Sequence, residues 1–243
     1  MARGGGLLTA NVSHAHTSAE LGVALRSVLA EPNEGFSTLA RAAELRSKAG
    51  VRPAEGVTPY ALAWIGGAAL MGLWLKFGGL IGVRDVHASQ FGWSALIASL
   101  VLGGLIALVA QVVWSGLGTF FVRKFGAGRI SGRDLRLVWG AAALPQVAAV
   151  FLLLPLDVIF LGRGSFTSDR LIDPLATAWA AISIALAFSL AAWSVWLFIT
   201  GIKSTSQLAT VRAAAIAASA LLTLAAVTAA LLVTAKLLAG IGS

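Results

Sequence analysis

Cysteine is absent from the 243-residue chain, which excludes a disulfide framework, a thiolate metal site and a thiol nucleophile. Charge is scarce as well: Asp, Glu, Lys and Arg make up 12% of the residues, about half the share found in a soluble domain. Acidic residues are the scarcer sign, and Asp157 alone falls inside an apolar run. The motifs of common hydrolytic chemistry are missing, with no GxSxG, no HExxH and no pair of acids in the apolar segments. The chain therefore reads as neither an enzyme nor a cofactor carrier. His14 and His16 form an HxH pair in a polar tail without the further ligands a metal site needs. The glycines of "FGAGRISGRDLR" (Gly126, Gly128 and Gly132) follow no strand and lack a GK[ST] ending. They read as a connection between spans rather than a phosphate loop.

What is present is apolar. Hydrophobic residues make up 58% of the chain and the mean hydropathy is +0.88, which marks an integral membrane protein. The net charge of +8 and the pI near 11.1 are accounted for by basic residues that flank spans and meet anionic lipid. No aromatic-basic motif suggests nucleic acid. The opening "MARGGGLLTANVSHAHTSAE" has no apolar core of signal-peptide length, so insertion through the first span is expected.

The chain divides into a polar tail, residues 1–56, and an apolar region, residues 57–243. In the tail, Leu21, Ala24, Leu25, Val28 and Leu29 share one face at helical spacing, and Pro32 stops the run. Phe36, Leu39, Ala40 and Ala43 form a second such face that ends near Gly50. These two short amphipathic helices have two possible resting places, the membrane interface or the ends of the spans.

Five apolar segments follow, each meeting the roughly 20 residues that cross a bilayer core. They cover about Pro59–Ile81, Phe91–Val122, Leu137–Leu161, Pro174–Ile202 and Val211–Ile241. With alternating spans, thirteen Lys and Arg residues fall on the side of the N-terminal tail and five on the other. This predicts an all-α, five-span protein with its N-terminus inside and its C-terminus outside. Helix packing is expected at small residues: Ala214 with Ala218, Ala226 with Ala230, Gly103 with Gly104, and Gly116 with Gly118. Six tryptophans, Trp114 among them, fall mostly near span ends, whereas Trp193 and Trp196 lie deeper in the fourth span and are expected to pack internally.

Asp157 lies twenty residues from Leu137, about 30 Å along a helix, which places it near the outer end of the third span. The reading is structural: a carboxylate that reaches water or pairs with Arg163 or Arg170. Pro155 and Pro145 each remove a backbone hydrogen bond and bend that span.

The stretch "KFGAGRISGRDLRLVWGAAALPQVAAVFLLLP" resembles the signature of the Yip-domain family, the Ypt/Rab-interacting membrane proteins and their bacterial relatives. The shared features are the glycines Gly126 and Gly128, the lead-in from Ser131 to Arg136, and Pro145 a few residues inside the span. "LAEPNEGFSTLA", with Pro32 and Phe36, is similar to the family's opening, and "WLFITGIKSTSQLATVRAAAIA", with Gly201 and Arg212, to its fourth-to-fifth connection. The Asp-Leu-Tyr-Gly motif of eukaryotic members is missing, which favours the bacterial branch. The resemblance implies a multi-pass protein of the bacterial inner (plasma) membrane, acting as a non-enzymatic scaffold or accessory subunit of a larger complex, for example one assisting an ABC-type exporter. Other integral membrane proteins and anionic lipids are the implied partners, with Arg129, Arg133 and Arg136 as contacts. A small transporter or channel subunit is the other reading, resting on Gln111 and on Ser183, Ser189, Ser194, Thr223 and Thr228 within the spans.

Overall fold

The structure is a computed structural model that describes residues 23–48, 57–80, 92–124, 131–161 and 174–241. Nearly all of these are helical and none is in a strand. In chain order the helices are α1 (23–30), α2 (Pro32–Lys48), α3 (Val57–Leu80), α4 (Gly92–Lys124), α5 (Gly132–Ala142), α6 (Leu144–Leu161), α7 (Pro174–Ser206) and α8 (Thr210–Ile241). Among the described residues, four stretches are long and apolar enough to cross a membrane: Leu100–Lys124, Gly132–Leu161, Pro174–Ser206 and Thr210–Leu231. This is the composition of a multi-pass membrane protein. α3 adds a 24-residue helix whose described apolar part, Pro59–Leu73, is shorter.

The long helices surround one another in the order α3, α4, α8, α7 and α6, with α6 packing back on α3. The closest seam is that of α3 with α4. A Cβ on Gly103 would stand 2.5 Å from the Gly67 carbonyl oxygen, and one on Gly67 would meet Ala107 and the Gly103 backbone. Two backbones this close leave no room for any side chain, which is how small residues drive association where water does not. The sequence pattern finds Gly103 in this role but not Gly67.

α5 and α6 are one apolar run divided at Ala143. The Ala143 N–H donates to both Trp139 O and Gly140 O, and Pro145 stands in the first turn of α6, where its missing N–H costs least. Pro145 therefore starts a new helix rather than bending a continuous one. Pro155 does lie inside α6. α5 begins at a capping box: Ser131 Oγ accepts from the Asp134 N–H, and Asp134 Oδ2 accepts from the Ser131 N–H at 3.0 Å.

At the end where α5 and α8 begin and α4 and α7 finish, α1 and α2 dock on the bundle. Ala24, Val28, Phe36 and Leu39 are buried in one core with Val122, Leu135, Val138, Leu197, Ile202 and Ile216. Of the two resting places open to the amphipathic helices, the protein surface is the one taken. Pro32 opens α2 instead of only closing α1, so the second helix starts four residues before Phe36. The room for Phe36 comes from Gly201 on α7, where a Cβ would stand 2.8 Å from its ring and 2.6 Å from Val138.

Three packing expectations are corrected. Ala218, Ala226 and Ala230 are exposed and Ala214 is half-buried, whereas the buried face of α8 is Ala213, Ile216, Ala217 and Ala220. Trp193 and Trp196 are 40% and 52% exposed and face outward. Gly116 has open space around it. Each was assigned to the inside on spacing or depth, neither of which says which side of a uniformly apolar helix faces its neighbours.

Candidate functional site: polar junctions at the two ends of the bundle

At one end of the bundle Asp157 is fully buried. It accepts from Ser183 Oγ at 2.6 Å and from Trp179 Nε1 at 3.1 Å. Ser183 and Trp179 are one turn apart on α7, so a single carboxylate oxygen of α6 meets two donors stacked on its neighbour. Phe160, on the last turn of α6, stacks on Trp179 with ring centroids 4.8 Å apart and covers the pair. The expected structural role fits this arrangement, but the expected exposure to water does not. Arg163 and Arg170 lie outside the described residues. The sequence showed the apolar run around Asp157 but not that Ser183 and Trp179 would face it.

The other junction joins α3, α4 and α5. Gln111 is fully buried on α4, and its Nε2 donates to Arg136 O at 3.2 Å and, at 3.4 Å, to Pro59 O. Its Oε1 has no partner. Beside it the Arg136 side chain folds back along α5: Nε donates to Gly132 O at 3.2 Å, and Nη1 to the Tyr60 hydroxyl of α3 at 2.6 Å. The guanidinium carbon lies 5.8 Å from the centroid of the Tyr60 ring. Of the three arginines expected to act together, Arg136 is held in this way, Arg133 lies one turn earlier on α5, and Arg129 lies outside the described residues. Tyr60, the only tyrosine in the chain, was not singled out from the sequence.

Between the junctions and α2 lies an aromatic core. Trp114 is fully buried, its ring 5.5 Å from that of Trp139 and 5.0 Å from that of Phe198. Its Nε1 donates to Ser219 Oγ on α8 at 3.2 Å. Trp114 is thus a hub tying α4, α5, α7 and α8, not the interface residue that its place near a span end suggested. A crevice of about 10 Å³ opens between α2, α5 and α7, lined by Phe36, Leu39, Asp134, Leu137, Val138 and Thr205, room for one water.

Two further hydroxyls of the spans act locally. Ser189 donates to Ala185 O and Thr223 to Ser219 O, each within its own helix. Ser194 Oγ and Gln146 Nε2 are buried without a partner. Among the described residues no group of three or more His, Asp or Glu could hold a metal, and His14 and His16 lie outside them. Comparison of the chain with protein-family models, with curated proteins and with solved structures finds no match to any of them.

Proposed function

We propose that this chain is a non-enzymatic membrane scaffold or accessory subunit of the bacterial Yip-domain type, with five spans and its N-terminus in the cytoplasm. The observation that carries the reading is the outward face of α8. Ala218, Ala225, Ala226, Ala229 and Ala230 are all exposed, while the chain's own packing uses Ala213, Ala217 and Ala220. Lipid is indifferent to an alanine face, but a second helix packs closely on one. These small side chains, left over from internal packing and set beside the exposed Leu222 and Val233, fit a helix of another membrane protein.

Two further features agree. Phe36 and Gly201, taken from opposite ends of the family resemblance, touch, and Pro145 marks a helix start within it. Arg26, Arg41, Arg123, Lys124, Arg133, Arg136, Lys203 and Arg212 all sit on segments at one end of the bundle, which under the positive-inside rule is the cytoplasmic end.

The test is purification in gentle detergent followed by mass spectrometry of co-eluting proteins. A defined membrane partner should be retained by the native chain and lost with the Ala226→Leu/Ala230→Leu double variant. Retention by the variant would remove the interface, and a lone chain would remove the reading. The transporter alternative draws on the unpaired polar atoms of Gln111, Gln146 and Ser194. Its test is solute flux in proteoliposomes, abolished by Asp157→Asn with the fold intact.

A further inference from the structure

We propose that Arg136 and Tyr60 form a binding site for the phosphate of an anionic phospholipid headgroup. The proposal rests on the membrane-spanning reading above and gives one of its implied partners a specific site.

Arg136 is a positioned cation with no carboxylate partner among the described residues. Its Nε and Nη1 bonds to Gly132 O and the Tyr60 hydroxyl, with the face of the Tyr60 ring nearby, fix the plane of the guanidinium. Among the described residues no acid reaches it. Asp134 is engaged with the Ser131 N–H and hydroxyl at 3.0 Å and 2.7 Å, Glu31 and Glu34 stand at the α1–α2 corner, and Asp157 is at the far end of α6. A guanidinium carries five N–H donors, so the Nη2 group is still uncommitted. The Tyr60 hydroxyl accepts from Arg136 and keeps its own proton to donate. An arginine fork beside a hydroxyl donor is the geometry that takes up two phosphate oxygens.

Depth selects a lipid as the source. The Gln111 amide holds Arg136 O and Pro59 O together, so the pair stands at the level where α3 begins. Arg136 stands near the start of the apolar run Gly132–Leu161, on the helix that also carries Arg133. A run of this length crosses a hydrocarbon core of about 30 Å, so the Arg136–Tyr60 pair, near its start, stands at headgroup level and not at the middle of the bilayer. Both side chains are half-buried, at the rim of the bundle rather than inside it. Arg133 on the preceding turn and Arg123 and Lys124 at the end of α4 add positive field at the same end.

The test uses the full chain in gentle detergent, offered phosphatidylglycerol or phosphatidylcholine and read by native mass spectrometry. The native protein should retain phosphatidylglycerol about tenfold more than phosphatidylcholine, a difference set by charge and hydrogen bonding. Arg136→Gln should abolish the preference, Tyr60→Phe should weaken it several-fold, and Arg133→Gln should leave most of it. Arg136→Lys keeps the charge but not the fork, and should fall between the native protein and Arg136→Gln, so the site stays testable if the glutamine variant does not fold. Equal retention of the two lipids by the native chain, or an undiminished preference in folded Arg136→Gln or Arg136→Lys, would overturn the site. Displacement of the lipid by millimolar inorganic phosphate would overturn its assignment to a lipid. Partner co-purification is measured separately, so loss of this site leaves the accessory-subunit reading standing.

Discussion

Ser183 and Trp179 of α7 both donate to the same oxygen of Asp157 on α6, at 2.6 Å and 3.1 Å. The acid in this span joins two helices. Asp157→Leu removes the acceptor shared by the Ser183 hydroxyl and the Trp179 indole N–H and should cost about 1–3 kcal/mol. Asp157→Asn keeps an oxygen in place and should cost less. Thermal unfolding in detergent separates the two, and equal losses would show that the hydrogen bonds do not stabilise the pair.

The α3–α4 seam gives a sharper contrast. Gly67 and Gly103 meet backbone to backbone, while a Cβ on Gly72, one turn or so along the same helix, would touch nothing. Gly67→Ala should destabilise by about 1–3 kcal/mol through overpacking. Gly72→Ala should be neutral or stabilising by up to ~1 kcal/mol, from helix propensity alone. The same unfolding measurement decides, and a loss at Gly72 matching that at Gly67 would refute the seam.

Gln111 leads to a less intuitive expectation. Its Nε2 bonds to two carbonyls while its Oε1 is buried and unpaired. Both carbonyls lie inside helices and keep their own i+4 N–H partners, so removing the amide strands no acceptor and relieves the unpaired Oε1. Gln111→Met should therefore change stability by less than about 1 kcal/mol, and a larger loss would mean that the amide bridge is the dominant tie between α3, α4 and α5.

Gly201→Ala should release α2 locally while sparing the bundle. The added Cβ would press on the Phe36 ring and Val138, so cleavage by trypsin at Arg41 should speed up several-fold, following a local opening made easier by about 1 kcal/mol. An unchanged cleavage rate with intact overall stability would show that Phe36 does not depend on that gap.

The parts of the fold that follow from chain chemistry were legible in the sequence. Polarity separated the tail from the spans, Pro174 stands at a real helix start, and Ala24, Val28, Phe36 and Leu39 are the face that docks. What was not legible is rotation about each span. α8 is apolar all round, so Ala217 and Ala218 are equivalent in the sequence, yet one is 2% exposed and the other faces outward. Trp193 misleads for the same reason, because depth along α7 carries no information on which side lipid lies. In a soluble protein the polar face would settle the rotation. In a bilayer both faces are apolar, and only the partner helices decide. The Arg136–Tyr60 clasp was illegible because its residues are 76 positions apart, and only the docking of α5 on α3 brings them together.

The seat of Phe36 against Gly201 also sets an order of assembly. α1 and α2 leave the ribosome before any span, but their shared core is supplied by α4, α5, α7 and α8. Gly201 follows Phe36 by about 165 residues, some 8–30 seconds of synthesis at ordinary rates. Throughout that interval Phe36, Val28 and Leu39 have no native surface to rest on. The amphipathic tail must wait, and its docking reports that α7 is already in place.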